Sequence, residues 1–189
     1  MSGLKHGKVK QCPWIRAYRE GIDNKNAGVF ATYRTKIRES KFKWVGPLVS
    51  TKWVIVVLAD SDIGPLKNIN QARSFETIGG YPQDAPTGFL IDKKFENIEM
   101  AKNNTQNMLK LKNHRIQALV TSIPLAYSLA KANDTKIKII YKIMDMPMYL
   151  ALHKEMDDEI VNKLQRSVDQ MRAKGELDTI LTKWGLVHE

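Results

Sequence analysis

Cysteine is nearly absent. Cys12 is the single one in 189 residues, so no internal disulfide can form, and no second Cys or nearby His makes it part of a zinc or redox motif. Long apolar runs are missing too: nothing approaches the roughly 18 consecutive apolar residues of a membrane helix, and the opening MSGLKHGKVK lacks the apolar core of a signal peptide. Stable membrane insertion is therefore not expected. The sequence contains no Gly-x-Ser-x-Gly elbow, Walker loop, Gly-x-Gly-x-x-Gly or His-Glu-x-x-His, so nothing in it calls for an enzyme or a cofactor. Its four histidines, His6, His114, His153 and His188, form no i, i+4 pair and have no neighbouring Cys, which leaves a metal site without support. Acid is in short supply: 20 Asp+Glu stand against 30 Lys+Arg, a net charge of +10 that draws the chain toward anions. The basic residues are nevertheless spread out. Their densest run, Lys36 to Lys43, is broken by Ile37, Glu39 and Phe42, whereas a nucleic-acid interface concentrates charge on one face and adds stacking aromatics. No nucleic-acid partner is expected.

What is present is an ordinary folding composition, 43% hydrophobic and 26% charged. Strand-length apolar runs recur at Trp53 to Leu58, Thr77 to Tyr81, Ile98 to Met100, Ala118 to Ser122 and Ile137 to Ile143, bounded by Gly, Pro, Asn or Asp. Between them lie helical segments at Pro86 to Lys94, Asn104 to Lys112 and Pro124 to Ala132, the last with Leu125, Leu129 and Ala132 on one face. This alternation predicts an α/β fold with a largely parallel sheet covered on both faces and with ligands outside the carboxyl ends of the strands. The N-terminal part offers a helix from about Pro13 to Gly21 and a strand from Gly28 to Tyr33. The C-terminal part offers a helix with the stripe Ile160, Val161, Leu164, Val168 and Met171, capped by Asp157 or Asp158 and stopped near Gly175. A short second helix follows with Leu177, Ile180, Leu181 and Trp184 on one face and Gly185 at its end.

Two local features bear on ligands. Met144, Met146 and Met148 alternate and would point three thioethers to one side of an extended segment, a pattern that suits Cu(I) but is met more often as adaptable core filler. Gly79-Gly80 closes a strand and leads through Tyr81-Pro82-Gln83-Asp84 into a helix. That turn either brings bare N–H groups to an anion or is a plain connection.

The segment Thr32 to Leu48, with Thr35-Lys36-Ile37-Arg38 followed by Trp44 and Pro47, resembles the Thr-x-x-Arg block of bacterial extracellular solute-binding proteins (family 3) of the polar amino acid ABC transporter type. His114-Arg115-Ile116-Gln117-Ala118 is similar to that family's turn into a strand, Tyr149 to Lys154 to its return strand, and Leu164 to Trp184 to its closing helices. The blocks run in order from about Pro13 to Gly185. The resemblance implies a two-lobed periplasmic binding protein-like (type II) architecture with mostly parallel sheets and two crossover strands: residues 1–59 in lobe 1, 60–147 in lobe 2 and 148–189 returning to lobe 1. It implies a non-enzymatic binding component that captures a small polar solute, an amino acid or another carboxylate, in an interlobe cleft and presents it to a membrane permease from the periplasm. Arg38 falls on the arginine that holds the ligand's carboxylate, a task that suits its planar fork. Thr35 and Tyr33 lie beside it, and Gln83, Asp84 and Ser122 are the contacts expected from the other lobe.

Two departures from the family pattern carry consequences. Where amino-acid binders commonly place an Asp against the ligand's ammonium this sequence has Ser122, and the block's own Asp is Gln117, so the full opposite charge is missing. The elements that family members carry before the equivalent of Trp14 have no counterpart here, which leads to the expectation of an N-terminally truncated first lobe with an open sheet edge. Two other function classes remain beside transport. The same fold serves as a ligand-sensing input domain of signalling proteins, and related domains carry acid–base chemistry, for which Asp84 and Glu76 are the carboxylates to test.

Overall fold

The structure is a computed structural model and describes residues 7–183. His6, Trp184, Gly185 and His188 lie outside the described residues. The element order is α1 (Trp14–Asp23), β1 (Gly28–Tyr33), β2 (Phe42–Leu58), β3 (Ile78–Gly80), α2 (Ala85–Asp92), β4 (Ile98–Met100), α3 (Asn104–Lys112), β5 (Ala118–Ser122), α4 (Ile123–Ala132), β6 (Ile137–His153), α5 (Asp158–Ala173) and α6 (Glu176–Lys183). The chain divides into two compact units, one formed by Met1–Ser50 and Pro147–Glu189 and the other by Thr51–Met146. Strands β2 and β6, 17 residues each, run from one unit into the other.

Both long strands extend beyond the apolar runs that mark them in the sequence. The first half of β2 carries Lys43, Ser50 and Lys52 among its apolar residues, which hides the strand from a reading based on continuous hydrophobicity. Strand β6 continues through the Met run, where Met144, Met146 and Met148 are half-buried strand residues. Among the described residues no group of His, Cys, Asp or Glu can hold a metal ion, and no helix is long and apolar enough to cross a membrane.

In the first unit, β1 pairs antiparallel with the end of β6, Gly28 opposite Leu152 and Tyr33 opposite Met148. Its core joins Tyr18, Val29, Phe42 and Ala151 to Trp14, Ala17, Ile22 and Trp44. Asp157 caps α5 by accepting from the Glu159 N–H at 2.7 Å. The helix ends at Gly175, whose φ of +70° favours a residue without Cβ. Gln165 of α5 accepts from the Gly46 N–H at 2.9 Å, and Lys43 donates to the Met156 carbonyl at 2.7 Å, fastening the helix to β2.

In the second unit, β5 lies antiparallel to β2 and parallel to β3, which is parallel to β4, so the sheet is mixed. Its buried residues divide by the period of two that separates the faces of a strand. Val54, Val56 and Leu119 pack with Met108 and Leu111 of α3 and with Ile123, Ala126 and Leu129 of α4. Ile55, Val57, Ala118 and Val120 pack with Leu90 of α2, Phe75, Phe95 and Ile140. Helices therefore cover both faces. Strands β3, β4 and β5 each lead directly into a helix, so the N-termini of α2, α3 and α4 all follow the carboxyl ends of neighbouring parallel strands.

Gly79 is closely covered by Ile116 and by Asn107 of α3: a Cβ there would stand 2.5 Å from Ile116 Cδ1 and 3.0 Å from Asn107 Oδ1. Asn107 is fully buried and donates to the Gly80 carbonyl at 2.8 Å. Gly79→Ala is expected to destabilise the protein by about 1–3 kcal/mol through overpacking, read as a lower urea midpoint at unchanged slope; an unchanged midpoint would contradict this packing.

Candidate functional site

Arg38 belongs to the first unit. It is 5% exposed, and its Nη1 donates to the Tyr33 carbonyl at 3.1 Å. The guanidinium lies 5.1 Å from the Trp14 ring centroid and 5.3 Å from that of Tyr18, one helical turn apart on α1. This pair was not singled out as ligand-site residues in the sequence, although an aromatic pair at i, i+4 is the signal that places both rings on one helix face. Tyr33 supplies its backbone carbonyl to Arg38 and is itself buried. Thr35 Oγ1 is buried and has no hydrogen-bond partner among the described residues. The structure thus brings Arg38 and Tyr33 into contact and leaves Thr35 with an unspent hydroxyl.

Arg34 has a different environment. Its Nε donates to Glu39 Oε2 at 2.8 Å, a second nitrogen reaches the other carboxylate oxygen, and its guanidinium lies 5.7 Å from the ring centroids of both Trp44 and Tyr149. The Arg34 fork is filled by its own neighbour.

In the second unit, Gln83 has φ +60°, a left-handed conformation unusual for a residue with a side chain, and it forms the turn from β3 into α2. Asp84 is the N-cap of α2. Its carboxylate accepts from Thr87 Oγ1 at 3.2 Å, and that oxygen in turn accepts from the Tyr81 N–H at 3.1 Å. Thr87 is a structural partner that the sequence did not single out. Ser122, the last residue of β5, is the N-cap of α4. It is 8% exposed, and its side chain accepts from no N–H of the helix it precedes. It stands directly opposite Trp53 of β2, whose ring meets Phe89 of α2 edge-on at 6.2 Å. Gln83, Asp84 and Ser122 therefore lie where parallel β3 and β5 run out, at the end of the sheet that α/β proteins use for ligands.

Glu76 is placed elsewhere. It precedes β3 while Asp84 follows it, so the strand separates the two carboxylates considered for acid–base chemistry. Glu76 lines a cavity of about 490 Å³ with the exposed Asp60, Asp62 and His114 at the amino ends of β3 and β5.

With this geometry in place, solved structures provide the comparison. The arginine-, lysine-, histidine-binding protein ArtJ from Geobacillus stearothermophilus superposes with a TM-score of 0.80 at 19% identity, over 97% of this chain and 79% of that one. A histidine kinase sensor domain with similarity to periplasmic binding proteins gives 0.81 at 13% identity, over 90% and 75% of the two chains. The fold is that of the two-lobed, type II periplasmic binding proteins. The GluR0 ligand-binding core from Nostoc punctiforme, solved with L-glutamate, also has it, at a TM-score of 0.79 and 15% identity over 98% of this chain and 85% of that one. No protein-family model matches the sequence, and no curated protein matches it. The type II fold is what these likenesses establish.

Two exposed ion pairs in the first unit respond to acid. The hydrogen bond from Arg34 holds the Glu39 carboxyl below its ordinary range, and that from Lys25 does the same for Glu155 at 2.6 Å. A carboxyl whose pKa is lower folded than unfolded adds stability above its unfolded value. It loses that stability as pH falls through the folded value. Both carboxylates are fully exposed, so the contribution is small. The double variant Glu39→Gln, Glu155→Gln is expected to lose melting temperature less steeply than the parent between neutral pH and about pH 3, below the ordinary carboxylate range. Parallel curves from thermal melts followed by circular dichroism would remove this role.

Proposed function

We propose that this protein binds a small polar solute and does so without chemical turnover, as the substrate-binding component of an ABC transporter acting outside the cytoplasmic membrane. Arg38 is the anchor for a carboxylate, with Thr35 and Tyr33 beside it. Gln83, Asp84 and Ser122 are the contact residues from the second unit. The observation that carries this reading is Arg38: a guanidinium set against two aromatic rings and one backbone carbonyl has its orientation fixed, and a fixed fork recognises a carboxylate with little entropy left to lose. The unspent Thr35 hydroxyl in the same segment supports it. The neighbours with this fold, among them a binding protein for basic amino acids and a glutamate-binding core, add support from analogy. Separation of Glu76 and Asp84 by β3 favours binding over catalysis.

A second reading is a sensing input domain, in which ligand capture changes a signalling partner instead of delivering cargo. The likeness to a histidine kinase sensor domain favours it. The solute site is the same in both readings. Pull-down of a permease subunit by the solute-loaded protein supports transport, and recovery of a kinase in its place supports sensing.

The test is a thermal-shift screen against amino acids, dicarboxylates and other small polar solutes, with Arg38→Ala and Arg38→Lys alongside. A binding solute raises the melting temperature through mass action. The shift is expected in the parent and lost in both variants, since lysine keeps the charge but not the fork. Arg38→Lys guards against misfolding, because it keeps a long cationic chain between Trp14 and Tyr18. A full shift in Arg38→Lys would refute the fork as anchor.

A further inference from the structure

We infer that the outer face of α1 and the segment leading into it form a docking surface for an anionic phospholipid bilayer, which holds this protein at a membrane surface without inserting it. The inference goes beyond solute binding and does not depend on which solute is taken. It begins with the distribution of charge. Lys5, Lys8, Lys10, Arg16 and Arg19 all stand before the first acidic residue of the chain, Glu20, and these five cations alone equal half of the net charge of +10. Lys8, Lys10, Arg16 and Arg19 are exposed. Arg16 and Arg19, three apart on α1, share a face, and it is the one turned away from the core, because Trp14, Ala17, Tyr18 and Ile22 occupy the other. Among the described residues, none of Lys8, Lys10, Arg16 and Arg19 takes part in an ion pair, whereas Lys25, Arg34, Lys43, Lys163 and Arg172 of the same unit each meet a carboxylate. The acids of α1 come only in its second half, where Glu20 accepts from Asn24 Nδ2 at 2.8 Å and Asp23 ends the helix.

A basic surface attracts any polyanion, and the apolar groups within it decide which one it suits. Val9, between Lys8 and Lys10, is fully exposed. An apolar side chain flanked by cations gains by entering the boundary between headgroups and acyl chains while the lysines stay with the phosphates. A nucleic acid would instead need an aromatic ring on which to stack a base. The Trp14 ring lies 5.5 Å from that of Tyr18 and 5.1 Å from the Arg38 guanidinium, and Tyr18 is buried, so both rings of the region are engaged inside the first unit. Each Lys or Arg held near an anionic leaflet adds to the attraction, which fades within a Debye length of the surface. Such binding is peripheral and reversible, in keeping with the absence among the described residues of any helix able to cross a membrane. A solute-binding component that works beside a membrane gains from being held there.

Co-sedimentation of the whole protein with vesicles tests this, using phosphatidylcholine mixed with phosphatidylglycerol and, in parallel, phosphatidylcholine alone. The parent is expected to bind the anionic vesicles at low salt, to leave them as salt rises, and to ignore the neutral ones. Lys8→Gln, Lys10→Gln, Arg16→Gln and Arg19→Gln combined are expected to weaken binding roughly tenfold or more. A control of the same net charge, Lys67→Gln, Lys102→Gln, Lys131→Gln and Lys142→Gln, removes four exposed lysines from the second unit and is expected to bind like the parent. Val9→Ser is expected to weaken binding severalfold with the charge untouched. Every substituted side chain is exposed, so unchanged melting temperatures are expected throughout and separate a lost surface from a lost fold. Lys8→Gln with Lys10→Gln, which leaves α1 intact, is expected to give a partial loss and keeps the test decisive if the fourfold variant misfolds. Equal losses in the two fourfold variants would overturn the inference, because net charge alone would then account for the attraction. So would equal binding to neutral and anionic vesicles, or binding to neither. Salt-sensitive binding of a single-stranded oligonucleotide that is lost in the first fourfold variant, with no binding to vesicles, would overturn it as well and assign the surface to nucleic acid.

Discussion

Val54, Ile55, Val56 and Val57 of β2 are wholly buried, a condition that a strand reaches only when both faces of its sheet are covered. The rest of the second unit follows from that constraint. Alternate residues of β2 and β5 sort into two apolar clusters, and each cluster requires helices on its own side. Short connections between parallel strands and covering helices then place the helix N-termini where β3, β4 and β5 end. Close packing of sheet against helix excludes a Cβ at Gly79, and the buried Asn107 ties α3 to the β3 backbone. The donor groups at the carboxyl edge are thus a consequence of burying β2, held in place by a core that stands independently of any ligand.

The first unit treats its cations in two ways. Arg34 is held by Glu39, with both partners at the surface and little stability at stake. Arg38 is buried against Trp14 and Tyr18, with the Tyr33 carbonyl accepting one of its donors. A lysine in the same place would be more strongly hydrated and costlier to bury, whereas the flat guanidinium stacks on rings at a lower desolvation cost. The aromatic series continues from Trp14 through Tyr18, Phe42 and Trp44 to Tyr149, with centroids 5.5–5.9 Å apart, so α1, β2 and β6 share one aromatic layer that carries both arginines.

The strands and helices of the second unit were legible because Val- and Ile-rich runs alternate with amphipathic segments bounded by Gly, Pro and Asn. Helix α3, Asn104–Lys112, matches the sequence expectation over its full length. The first half of β2 and the second half of β6 were not legible from hydrophobicity, since their residues alternate or mix polar with apolar side chains. Arg38 stood out through the Thr35-to-Arg38 block, and its position in a family pattern was the only signal. What the sequence could not reveal is that Trp14 and Tyr18, some 20 residues away, frame it, because local periodicity places a residue on a helix face without saying which side chain it meets. The unused cap at Ser122 was equally hidden: serine before a helix predicts a capping bond, and only the structure reveals that the bond is not made.

That missing cap bears on how charge is used across the protein. With 20 acidic residues against 30 basic ones, carboxylates are the scarcer groups, and many are placed where they answer a specific positive charge. Glu39 takes Arg34, Glu155 takes Lys25, Glu99 takes Lys110 and Asp145 takes Lys52. Asp157, Asp158 and Glu159 settle the start of α5. Against this pattern, the acid-free first turns of α2, α3 and α4 lie side by side at one edge of one sheet. A helix whose N-terminus only had to be stable would gain from an acid there by roughly 0.3–1 kcal/mol. Of the three, α2 begins at the carboxylate of Asp84 and α3 is capped by Asn103, which accepts from the Gln106 N–H, so α4 is the one that forgoes both an acid and a capping side chain at its start.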